Sequence, residues 1–94
     1  MFNNQHYLTK GVRVGIPLEL QLFMWSCIDG LPEECDYFQV FRLENIDGIQ
    51  KITLFSEQPE HHREYLIQTA NPITTKVYII DSDTYSTMLL AEEY

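Results

Sequence analysis

Positive charge is scarce in this chain. Six Lys and Arg stand against 14 Asp and Glu, which leaves a net charge of −8 and a pI near 4.6. Nucleic-acid binding draws on Lys and Arg to displace counterions from phosphates, so direct contact with DNA or RNA is disfavoured, as is docking on an anionic membrane surface. Cysteine is also sparse. Cys27 and Cys35 lie eight residues apart; a bridge between them is geometrically possible, but two thiols make no disulfide framework. Met1 leads straight into Phe2-Asn3-Asn4, without a basic and then apolar leader. These features predict a reduced, cytoplasmic setting. No apolar run approaches the roughly 18 residues of a membrane span. Repeats, low-complexity tracts and linkers are absent, so residues 1–94 read as one domain.

Hydrophobic side chains, by contrast, are plentiful: 45% of the chain, including one Trp, six Tyr and five Phe. A packed aromatic buries roughly 150–250 Å², so a core without staples is within reach, and the high apolar content argues against disorder. Ile16 to Gly30 reads as the one main helix, with Pro17 in the first turn and Gly30 and Pro32 as stop signals. His6–Thr9 reads as a short strand, and Lys10–Gly15, with its two glycines, as a bent loop. Five further segments suit strands. Asp36–Glu44 and Ile49–Ser56 flank an Asp47-Gly48 turn. Gln58–His62 reads as a polar loop, followed by strands at Glu64–Thr69, Thr75–Asp81 and Tyr85–Ala91. Short connections favour antiparallel hairpins. The expected fold is therefore α+β: one main helix packed on an antiparallel four- to five-stranded sheet, with a strongly curled or barrel-like form as one option and closure left open.

Such a layout buries less apolar surface than the sequence carries. At about 100° per residue, Leu20, Phe23, Met24, Cys27, Ile28 and Leu31 fall on one helix face, which suits packing on a sheet. Leu18, Leu22 and Trp25 fall on the other, among Glu19, Gln21, Ser26 and Asp29. A Leu-Leu-Trp stripe in a polar rim has the make-up of a partner-binding patch, unless a terminal segment covers it. In the strands, Val77-Tyr78-Ile79-Ile80 and Met88-Leu89-Leu90-Ala91 run without alternation. Phe38 and Val40 point one way while Tyr37, Phe41 and Leu43 point the other. A single helix covers one side of a sheet only; the other must close on itself, lie under loops or meet a second molecule.

Catalytic and metal-binding patterns are weak. His61 and His62 are adjacent and cannot easily aim both rings at one ion. Cys27 and Cys35 have no neighbouring His or cation to lower a thiol pKa. Asp81 and Asp83 suit a tight turn, and Gly11-Val12-Arg13-Val14-Gly15 lacks the Lys-Ser/Thr pair of a phosphate loop. A small-ligand site would need convergent polar groups, for instance near His6, Tyr7 and Arg13. No catalytic, cofactor or metal residue is assigned.

The segments Tyr7–Val12, Ile16–Gln21, Met24-Trp25, Asp36–Phe41, Gln50–Ile52, Gln58–Glu60 and Met88–Tyr94 resemble, in order, the domain-of-unknown-function 960 family of small Firmicute proteins. That family has no assigned activity, so the resemblance implies no catalytic residue. The reading that follows is a non-enzymatic interaction module that binds a protein partner or itself, with Leu18, Leu22 and Trp25 as the contact residues. The alternative is an acidic DNA mimic that occupies a DNA-binding cleft, presenting Glu33, Glu34, Asp36, Glu57, Glu60, Asp81 and Asp83.

Overall fold

The computed structural model describes all 94 residues. The chain runs β1 (Gln5–Leu8), α1 (Lys10–Gly15), α2 (Leu18–Asp29), β2 (Phe38–Ile46), β3 (Ile49–Glu57), β4 (Glu60–Ile67), β5 (Thr75–Asp81) and β6 (Tyr85–Leu90), with a 3-10 turn at Ala91–Glu93. One six-stranded sheet has the order β1-β6-β5-β2-β3-β4.

The expected architecture is corrected on three counts. The sheet has six strands rather than four or five. It is mixed, because β1 pairs parallel with β6. It is also open, with β1 and β4 as free edges, and not a barrel. Strand makes up 46% of the residues and helix 22%, in two small helices. The parallel edge has a local cause. The Phe2 amide and the Asn4 side-chain amide donate to Asp81, while Ser86 Oγ donates to Asn4 Oδ1. These contacts pin the N-terminal segment at the start of β6, so both strands leave that point in the same direction.

Within the sheet, β2, β3 and β4 are joined by hairpins, and β5 returns to pair with β2 rather than with β4. This is a Greek-key path, not the simple succession of hairpins that short connections suggested. Gln50, fully buried, organises the return. Its side chain donates to the carbonyls of Glu44, Lys51 and Ile73 and accepts from the Ile73 amide at 2.7 Å. The predicted Asp47-Gly48 turn is present. Both residues have positive φ, 52° and 85°, as the hairpin twist demands, and the Gly48 amide donates to Asn45 Oδ1.

Two segments expected as loops are regular. Lys10–Gly15 forms a helix because Thr9 caps it, its Oγ1 accepting from the Val12 amide. Glu93 strengthens this cap from far along the chain, accepting from Thr9 Oγ1 and from the Gly11 and Leu90 amides. A Cβ on Gly11 would lie 2.5 Å from a Glu93 carboxylate oxygen, so glycine makes this approach possible. Buried Gln21 closes the other end of α1, donating to the carbonyls of Val12 and Ile16. The second segment, Glu60-His61-His62, belongs to β4. Its polar side chains suit an edge strand, where charge discourages further pairing.

One core lies between the helices and a single face of the sheet. Leu20, Met24 and Ile28 of α2 and Val12 and Ile16 from the α1 region are buried there. They share that core with Phe41, Leu43, Ile52, Leu54, Val77, Ile79 and Met88 from the strands. Phe23, Cys27 and Leu31 pack at its margin, so the predicted inner face of α2 is the observed one. Cys27 and Cys35 are both free thiols. No helix is long and apolar enough to cross a membrane.

Candidate interaction surfaces

The helices cover one face of the sheet and leave the other without a covering layer. Strand alternation and register place Phe38, Val40 and Arg42 of β2 on this open face. They are joined there by Lys51, Thr53 and Phe55 of β3, Lys76, Tyr78 and Ile80 of β5, and Thr87 and Leu89 of β6. Val40 is registered with Phe55 on one side and Tyr78 on the other. Phe38 and Tyr78 pack with ring centroids 4.8 Å apart. Tyr94 stands edge-on to both at 5.5 Å while remaining 76% exposed. These rings form a half-buried apolar band, its order sustained by aromatic pairing. A hollow of about 340 Å³ adjoins it, walled by Tyr37, Phe38, Val40 and Phe55 with Asp36 and Glu57 at its rim.

The helix stripe splits in two. Leu18 and Leu22, four residues apart, are 66% and 60% exposed. Trp25 is half-buried against the core, and its ring lies flat on His6, with centroids 4.0 Å apart and planes 6° from parallel. The short strand β1 carries His6 under the indole, a contact between distant parts of the chain that helix periodicity does not reveal.

Charge is segregated along the strands. The loops and strand ends bearing Glu33, Glu34, Asp36, Glu57, Glu60, Asp81 and Asp83 all lie at one end of the sheet, where β2, β4 and β6 begin and β3 and β5 end. None of the six Lys and Arg side chains belongs to those loops. Two of the carboxylates serve the fold. Burial alone would push the Asp36 carboxyl up, but the amides of Phe38, Gln58 and Glu57 donate to it and hold it below the usual carboxylate range. Asp81 is likewise raised by burial and then held low by the Phe2 and Asp83 amides and Asn4. Glu33, Glu34, Glu57, Glu60 and Asp83 are exposed.

The other sequence candidates are not brought together. His61 turns towards the helix side of β4 and His62 towards the open face. No group of three or more His, Cys, Asp or Glu is placed to hold a metal ion. Burial pushes the Cys27 thiol up, an effect that the neighbouring Tyr65 hydroxyl partly offsets. His6, Tyr7 and Arg13 line none of the surface hollows.

An open, mixed six-stranded sheet backed by two helices defines a small α+β domain. The chain belongs to the family described as staphylococcal protein of unknown function (DUF960), whose model matches residues 5–93. A crystal structure of a protein of unknown function from Enterococcus faecalis shares the fold. It superposes with a TM-score of 0.76 at 22% identity, over 97% of this chain and 91% of that one. No curated protein matches the sequence.

Proposed function

We propose that this chain is a non-enzymatic interaction module whose docking surface is the open face of the sheet. The supporting observation is that Phe38, Val40, Phe55, Tyr78, Ile80, Leu89 and Tyr94 share a face over which no helix or strand lies. Contiguous apolar patches on soluble domains mark interaction sites, and aromatic anchors carry much of the energy at such sites. Leu18 and Leu22 form a smaller patch on the opposite side, which ranks second because it holds two aliphatic side chains and no free aromatic ring. The test is a photo-reactive residue placed at Tyr78, and separately at Leu18, in the protein expressed in its native host. Protein adducts from Tyr78 and few from Leu18 support the reading. Adducts from neither position overturn it.

A second reading, an acidic mimic of DNA, is favoured by the gathering of carboxylates at one end of the sheet, free of Lys and Arg. Complexes of that kind weaken steeply with salt. A Glu33→Gln, Glu34→Gln, Asp83→Asn variant would lose affinity for a basic partner, whereas Phe38→Ser would not.

A further inference from the structure

We infer that the occupant of the open face is a second copy of this chain, an inference that rests on the interaction-module reading above. Two like-charge pairs on the strands point to this occupant. Arg42 of β2 and Lys76 of β5 are direct cross-strand partners, and neither has a carboxylate within 4.0 Å. The Arg42 guanidinium has only the Phe55 ring beneath it, 5.6 Å from the centroid. Glu57 of β3 and Glu60 of β4 are direct partners as well, and they too are free of any cation. Like charges placed directly opposite destabilise a sheet, so each pair alone is unfavourable. The third cation of this face, Lys51, is in contrast matched: it is registered with Glu44 and bridged to Glu64 at 3.5 Å.

The two unmatched pairs have opposite sign and lie on opposite sides of the apolar band. A two-fold axis in the plane between two facing sheets, running obliquely over the Val40–Phe55 pair, would set Arg42 and Lys76 of each copy on Glu57 and Glu60 of the other. The same operation stacks the aromatic band on itself. Complementary charges and apolar contacts then meet in one isologous interface. The molecule measures 36 × 27 × 20 Å, so a broad face can supply the roughly 800 Å² per partner of a standard interface. The net charge of −8 opposes approach at long range, but salt screens it beyond about 8 Å, while the matched pairs act in contact.

Sedimentation equilibrium tests the assignment, because charge reversal at a two-fold interface can be cancelled in a mixture. The wild-type mass should rise from 11.1 kDa towards twice that value with concentration. R42E/K76E and E57K/E60K change exposed side chains and should each melt as the wild type does at dilutions where all are monomeric, yet dimerise about tenfold or more weakly, since every contact occurs twice. An equimolar mixture of the two variants restores both contacts and should recover the dimer. A wild type that stays monomeric up to about 1 mM, or a mixture no better than its components, overturns self-pairing. If adducts from Tyr78 then join this chain to a different protein, the interaction-module reading stands without self-pairing; if no adducts form, both fall.

Discussion

Asp36 joins three backbone amides from two parts of the chain, and its substitution by Asn should weaken the fold in a pH-dependent manner. The carboxylate is buried and accepts from Phe38 at 3.0 Å, Gln58 at 2.8 Å and Glu57 at 3.3 Å. It thus ties the start of β2 to the β3–β4 turn. Asn keeps the shape but presents one acceptor oxygen and turns two N–H donors towards amides. A hydrogen bond to a charged group contributes about 1.5–3 kcal/mol. Glu57 and Gln58 are exposed, so water recovers part of the loss, and the net cost at pH 7 is about 2 kcal/mol. In a domain of this size that lowers Tm by roughly 8–16 °C and the urea midpoint by about 1.5–2 M at unchanged slope. The sign with pH follows from the depressed carboxyl. Its contribution is complete above the unfolded value of about 3.9 and is lost as pH falls through the lower folded value. Wild type and Asp36→Asn should therefore converge in acid. Urea titrations of both proteins at a series of pH values between 7 and 2 provide the assay. A gap that is the same at every pH, or smaller than about 0.5 kcal/mol at neutrality, would refute the clasp.

Four other substitutions separate the core, the surface, the turn and the helix margin. Leu20→Ala empties a fully buried site between α2 and the sheet and should cost about 3 kcal/mol, whereas Leu22→Ser, on the exposed side of the same helix, should stay within about 0.5 kcal/mol in urea titrations. Gly48→Ala forces a side chain into a backbone with φ near 85° and should cost about 1 kcal/mol without altering the spectroscopic signature of the native state. Trp25→Ala removes the stack on His6 and part of the packing at the core margin; a loss of about 2–3 kcal/mol and loosened amide protection in β1 are expected, and unchanged exchange there would contradict the contact.

Legibility in the sequence tracked the range of the interaction. The inner face of α2, the Asp47-Gly48 turn and the span of β5 follow from periodicity and turn chemistry over a few residues, and they are present as read. Contacts that cross the chain were not legible. The N-terminal strand pairs parallel because Asp81 holds Phe2 and Asn4, and the Lys10–Gly15 segment is helical because Thr9, Gln21 and Glu93 close its ends. The start of β4, Glu60-His61-His62, was hidden by its polarity, the property that makes it a tolerable edge, while the rest of the strand overlaps the segment read at Glu64–Thr69. The excess of apolar side chains was visible, but its location was divided. Helical projection placed Trp25 with Leu18 and Leu22, whereas His6 draws the indole down. The alternation Phe38-Val40 against Phe41-Leu43 marked two apolar sheet faces; only the core packing tells which of them the helices cover.

Hydroxyl-radical footprinting examines the open face of the sheet most directly. The protein is compared when dilute and pure and when present in an extract of its native host. If another protein, or another copy, docks on the open sheet, Phe38, Tyr78 and Tyr94 should lose reactivity in the extract while Leu18 and Leu22 keep theirs. Equal reactivity of the three rings in both conditions would contradict the account.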